Sequence, residues 1–262
     1  MKKSIFMPLT ATPFRRTEEY REIPPQNPAL AGYIRCFWGS DAPFAKKDSQ
    51  AFSTMVIPDA CADIIYSIDH TKRAILGRFC GVSDASFISR ENPPPGHVVS
   101  TFGIRFYAWT ACAFSVDSLK GAQDGSCDVS SKFQWLDRLL RPLLLEKHSL
   151  RERARIAEEL LLTQSGQMRQ NHVIRDAADA ILLHRGALTA ADLARECFIS
   201  GRQLERLFHE YIGVTPKKLC NLVRYQYLWN EILTNPRFDV LDAVCRYGYA
   251  DQSHLCLKDL SH

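Results

Sequence analysis

The chain has 262 residues, 33 Lys plus Arg against 29 Asp plus Glu, and 46% hydrophobic residues, which suits one large domain or two medium ones with packed cores. No apolar run approaches the roughly 18 residues that span a bilayer, so a membrane-embedded protein is excluded at this level. The opening MKKSIFMPLT starts like a signal peptide, but Pro8 and the polar stretch after it leave no apolar core, so a cytoplasmic protein is expected. Nine cysteines without a C-x-x-C pair read as reduced thiols rather than as a disulfide framework or a zinc site. The net charge of +4 announces no nucleic-acid partner, so such a claim must rest on where the charges fall.

In chain order, residues 23–115 read as mostly β, a small barrel or sandwich. Met55-Val56-Ile57, Ile64-Ile65-Tyr66 and the run from Val98 to Phe106 are short β-branched and aromatic segments, and Ile104-Arg105-Phe106 alternates as a half-buried strand does. Pro93-Pro94-Pro95-Gly96 supplies a turn. Helices are expected over 131–163. Phe133, Leu136, Leu139, Leu140 and Leu143 recur at helical spacing, Pro142 bends or divides that stretch, and Leu150 to Leu162 is amphipathic. The polar segment 163–167 reads as a linker, which divides the chain into 1–165 and 166–262.

After the linker, helix follows helix. Thr189 with Asp192 and Ser200 with Gln203 have capping-box spacing, Thr215-Pro216 supplies an N-cap and a first-turn proline, and Asp239 and Asp251 are further caps. In Asp192 to Gly213, Leu193, Ala194 and Cys197 face inward from a short helix. Leu204, Leu207, Phe208 and Tyr211 do so from a second, and Phe198-Ile199 join them. This is a helix-turn-helix pattern that leaves Arg202, Gln203, Glu205, Arg206 and His209 outside. Arg pairs bidentately with guanine, Gln with adenine, and Glu accepts from cytosine, which is the chemistry of a major-groove reader. A solvated helix face would carry the same residue types. The pattern recurs, however: Val240, Leu241, Val244 and Tyr247 form an apolar-faced helix, Gly248-Tyr249 a turn, and a further helix starts at Asp251. A long helix from Pro216 to about Leu233 joins the two units.

On Leu193-Ala194, Ser200, Arg202, Leu204, Arg206, Phe208, Gly213, Thr215-Pro216, Arg224, Gly248-Tyr249 and the DQSH run from Asp251, residues 172–258 resemble the DNA-binding domain of AraC/XylS-type transcription regulators. The resemblance implies a sequence-specific regulator of double-stranded DNA with two recognition helices in successive major grooves. Gly201, Arg202, Gln203, Glu205 and Arg206 would stand at the first groove, and Gln252, Ser253 and His254 at the second. Arg224 would make structural or phosphate contacts. Leu228 stands where the linker helix usually carries alanine, Ala243-Val244 replaces a large-then-small pair, and the second unit reads as truncated, which keeps open a protein-interaction module as the alternative.

Less specifically, Pro28 to Trp38, Ile57-Pro58-Asp59 with Asp63-Ile64-Ile65, and Gly103 to Phe106 resemble the sensor domain of one AraC-type subgroup. The expected fold is therefore α+β: an N-terminal β-rich cupin-like domain with helices, and a C-terminal all-α double helix-turn-helix domain. What this implies is a small-molecule effector or homodimerisation through the N-terminal half, with RNA polymerase as partner in an activator. No enzyme, metal or cofactor is expected. His70 and His97 form no metal-ligand motif, no cysteine has the neighbours of a methyl-acceptor nucleophile, and there is no P-loop. The aromatic set Phe37, Trp38, Tyr66, Phe102, Phe106 and Trp109 reads as barrel core, with an apolar pocket as the alternative.

Overall fold

A computed structural model describes residues 6–9, 20–45, 52–91, 94–164, 166 and 168–247. The N-terminal half is built on a seven-stranded antiparallel sheet. Its strands are β1 (Tyr20–Ile23), β2 (Ile34–Ser40), β3 (Phe44–Ala45), β5 (Cys61–Asp69), β6 (Ala74–Cys80), β8 (Val98–Tyr107) and β9 (Ser126–Asp128). The order is β1-β2-β8-β5-β6-β9, with β3 pairing the start of β8. β4 (Phe52–Val56) and β7 (Phe87–Glu91) form a separate two-stranded sheet. The strands thus reach beyond the expected 23–115, to Tyr20 and Asp128.

Alternation along the strands divides the main sheet into two faces. Ile64, Tyr66 and Ile68 of β5, Phe102, Ile104 and Phe106 of β8, Phe37 of β2 and Phe79 of β6 bury one face beneath the helices α1 (Ser130–Glu146) and α2 (Leu150–Thr163). Phe106 lies parallel to Phe133 of α1 at 6.1 Å and close to Phe114 at 5.6 Å. The helix α1 packs through Phe133, Leu136, Leu140 and Leu144; of the stripe read from the sequence, Leu143 is partly buried against the same core and only Leu139 is exposed. The helix also runs on through Pro142, and its irregular residue is Phe133 (φ −129°, ψ 41°). Most of the aromatic set therefore is core, as the simpler reading held. Trp38 and Trp109 lie outside that core.

The opposite face carries Trp38, Asp63, Ile65, Ser67, Arg78, Thr101 and Arg105 and borders an open cavity of about 1100 Å³. Gly103 is required here. A Cβ on it would stand 2.1 Å from the Trp38 ring, so the indole lies directly across the glycine backbone.

The C-terminal half is helical: α3 (His172–Leu183), α4 (Ala190–Glu196), α5 (Gly201–Tyr211), α6 (Pro216–Thr234) and α7 (Val240–Tyr247). Its core joins Val173, Ile174, Leu193, Leu204, Phe208, Leu219 and Val223, and Phe6, Ala60, Val82, Tyr107 and Ala108 of the N-terminal half belong to the same cluster. The two halves therefore share one apolar core across the chain division.

Candidate nucleic-acid interface

Local sequence shapes the helix pair. Thr189 accepts from the Asp192 N–H at 3.1 Å while Asp192 reaches back to the Thr189 N–H, a capping box that starts α4. Ser200 accepts from the Gln203 N–H at 3.2 Å and starts α5. For Ser200 only that half of the box forms. Thr215 caps α6 by accepting from the Lys218 N–H at 3.2 Å, with Pro216 in the first turn. Leu193 and Ala194 of α4 and Leu204, Leu207 and Phe208 of α5 are buried, as their spacing predicts, while Cys197 and Tyr211 are half-buried.

Every sequence-predicted residue of the first unit lies at the N-terminal end of α5 and is exposed: Gly201, Arg202, Gln203, Glu205 and Arg206. Arg202 has no ion-pair partner among the described residues. Arg206 approaches Glu210 at 3.5 Å and Glu205 lies 4.0 Å from His209, both loose surface pairs. Apart from these two loose pairs, the side chains of this helix end make no ion pair among the described residues. Gln252, Ser253 and His254 lie outside the described residues.

The turn between the two helices carries a feature that spacing did not reveal. Phe198 takes a left-handed conformation (φ 55°) and is 94% exposed. A side chain there crowds the backbone, and a glycine would not.

The linker helix is bound on both sides. Arg224 donates to the Asn221 side chain at 2.8 Å and to the Tyr247 carbonyl at 3.3 Å, which is the structural role expected of it. Leu228, Ala243 and Tyr247 form one buried cluster. The two departures from the family pattern, a leucine for a small residue in α6 and Ala243 in α7, thus fit each other across one contact. The Tyr247 hydroxyl and the Arg246 guanidinium both donate to Glu231, which holds the Glu231 carboxyl below its usual range.

The N-terminal half grips this assembly at points the sequence left unread. Gln226 of α6 is 2% exposed. Its side chain accepts from the Leu9 N–H at 2.6 Å and donates to the Leu9 carbonyl at 3.0 Å and the Pro58 carbonyl at 2.5 Å. Phe6 packs between Trp109 and Tyr227 at 5.9 and 5.7 Å. Lys218 forms an ion pair with Asp84, so this first-turn lysine answers a carboxylate of the other half. At the far end of α5 the Glu210 carbonyl accepts from the Leu119 N–H at 2.9 Å and the Ser118 hydroxyl at 3.2 Å. Gly213 (φ +90°) makes this approach possible, because a Cβ there would stand 2.9 Å from the Leu119 carbonyl oxygen. The β-rich half therefore caps the C-terminal end of α5, and the end that bears Arg202 stays open.

Two chemistries find no support in this geometry. No group of three or more His, Cys, Asp or Glu fit to hold a metal occurs among the described residues. No helix among them is long and apolar enough to cross a membrane.

Family comparisons agree with the architecture. A helix-turn-helix domain model matches residues 193–257, and a domain of unknown function (DUF6597) matches residues 21–127. No curated protein is matched by the chain. Two crystal structures of ToxT from Vibrio cholerae are similar to it at 11% identity. The apo form of a lysine-to-alanine variant aligns over 84% of this chain and 90% of its own, with a TM-score of 0.36. A 1.65 Å structure in a P21 form aligns over 84% and 91%, with a TM-score of 0.35. The chain thus carries an AraC-type helix-turn-helix domain towards its C-terminal end, with the domain of unknown function before it.

Proposed function

We propose that this chain is a sequence-specific transcription regulator that reads double-stranded DNA in the cytoplasm through the N-terminal end of α5. The observation that carries the reading is the open helix end. Arg202, Gln203, Glu205 and Arg206 are all exposed on a helix anchored by Leu204, Leu207 and Phe208 on its inner face. Side chains near the start of a recognition helix lie closest to base edges, and phosphate contacts fix the register. Gln252, Ser253 and His254 would serve the second groove. The division is into a sensing half, 1–165, and a reading half, 166–262. A small-molecule effector or homodimerisation through the first half sets the activity of the second by population shift, and an activator would also engage RNA polymerase.

The test is binding to the region upstream of this protein's own gene at low and physiological salt, beside Arg202→Ala and Arg206→Ala. The expected loss is about 1–3 kcal/mol for each variant, with relaxed specificity at one base position for Arg202→Ala. Log affinity of the parent should fall steeply with log salt. Parent-like binding by both variants would defeat the assignment. Salt-insensitive binding to a protein partner, with none to DNA, would favour the interaction module.

A further inference from the structure

The cavity on the open face of the main sheet has a defined polar end. Arg105, 6% exposed, points Nε and Nη2 at Asp63, at 2.9 and 3.0 Å, and the Trp38 indole N–H donates to the same carboxylate at 2.8 Å. Asp63 is thereby occupied. Beside it, Asp59 is 9% exposed and less well served. Its Oδ1 accepts from the Cys61 N–H at 2.9 Å, while its Oδ2 faces Arg105 Nε at 3.8 Å, too far for a hydrogen bond. Arg105 Nη1 is buried without an acceptor and stands 4.0 Å from the Glu22 carboxylate. Asp59 Oδ2 and Arg105 Nη1 have no hydrogen-bond partner among the described residues, and Nη1 is closed off even from solvent.

Charge and shape narrow what would complete them. One guanidinium stands against the two carboxylates Asp59 and Asp63, so the polar end carries an excess negative charge, and burial raises the Asp59 carboxyl to about 6. Farther along the cavity, Ile65, Leu76 and Phe87 offer an apolar wall, of which Leu76 and Phe87 are about half exposed. Buried polar groups without partners are costly, and exposed apolar side chains around a cavity gain from cover.

We propose that this cavity binds a small organic amine with an apolar body. The ammonium sits at Asp59, and the body lies along Ile65, Leu76 and Phe87. The assignment rests on the sensing role of the N-terminal half and names its ligand chemistry. The cavity also adjoins the linker helix directly. Pro58, the residue before Asp59, accepts from Gln226 of α6, and Ala60, the residue after it, is held at φ +57°. A ligand that moves Asp59 thus moves a short strained loop hydrogen-bonded to the helix that carries the reading unit.

The experiment is calorimetric titration and thermal shift of the full chain, without DNA, against three probes of similar shape. Phenylethanolamine is the amine, phenylethanediol its neutral counterpart and mandelate an anion. Phenylethanolamine is expected to bind and raise Tm while the other two do neither. Asp59→Asn should weaken it roughly tenfold or more, and Phe87→Ala, a half-exposed position with little effect on folding, should weaken it less. Equal binding of the diol or mandelate, undiminished binding to Asp59→Asn, or no binding of phenylethanolamine at millimolar concentration would overturn the assignment. Because no DNA is present, that failure is separate from failure of the DNA-reading proposal, which the Arg202 and Arg206 variants test.

Discussion

The two larger cores among the described residues differ in kind. The first, between the main sheet and the helices α1 and α2, is apolar but for the buried Tyr66 hydroxyl: Phe37, Phe79, Phe102, Phe106 and Phe133 fill it, and the chain from Leu30 to Leu161 supplies it. The second joins Phe6, Val82 and Tyr107 of the β-rich half to Leu204, Phe208, Leu219 and Val223 of the helical half. At the edge of the second, polar ties set the fit: Gln226 on Leu9 and Pro58, Leu119 and Ser118 on the end of α5, and Lys218 on Asp84. An apolar core holds its parts together without specifying one arrangement closely. A hydrogen bond is lost within a fraction of an ångström, so a contact built on such bonds reports small shifts.

Breaking the first core should have the largest effect. Phe106→Ala removes a buried ring stacked on Phe133 and is expected to cost about 3–5 kcal/mol, read as a drop in the denaturant midpoint with the sheet and the helices lost together. Unfolding in two steps would show that the sheet core does not organise the whole.

The second core should break differently. Gln226→Leu keeps the volume but strips partners from the Leu9 N–H, the Leu9 carbonyl and the Pro58 carbonyl. A loss of about 2–4 kcal/mol is expected, with separate transitions for the halves in calorimetry. A single unshifted transition would mean that the polar ties contribute nothing to docking.

A smaller effect of opposite sign is expected at the turn of the first unit. Phe198→Gly relieves a left-handed residue without uncovering a core, because the ring is already in solvent, and should stabilise by about 1 kcal/mol. A loss of stability on this change would show that the exposed ring has a partner.

A further effect concerns pH. Burial raises Asp59 from an ordinary 3.8 to about 6, so the folded chain takes up this proton at higher pH than the unfolded chain does. Stability should therefore rise as pH falls from about 7 towards about 4, and Asp59→Asn should flatten that part of the profile. A slope unchanged in the variant would assign the titration to another group.

Much of the reading half was legible because its signals are local. Caps at Thr189, Ser200 and Thr215, a stripe at Leu204, Leu207 and Phe208, and the exposed Arg202 and Arg206 follow from spacing within one or two helical turns. The compensating pair Leu228 and Ala243 could have been found in the same way, as two departures with matching sizes. The stripe of α1 was harder to place, because Leu139, Leu140, Leu143 and Leu144 offer two overlapping apolar faces and only the sheet chooses between them.

By itself, the sequence determined that a β-rich half precedes a helical one, the helix-turn-helix, and the end of α5 proposed to meet DNA, since each depends on residues a few positions apart. Only the tertiary structure decided that Arg105, Asp63 and Trp38 meet on one face, that Asp59 stands beside them, and that Gln226 closes on Leu9 from 217 positions away. Those contacts are chosen by strand register and by the packing of one half on the other. Polar residues dispersed along a chain carry no periodic signal of the partner that folding will bring to them.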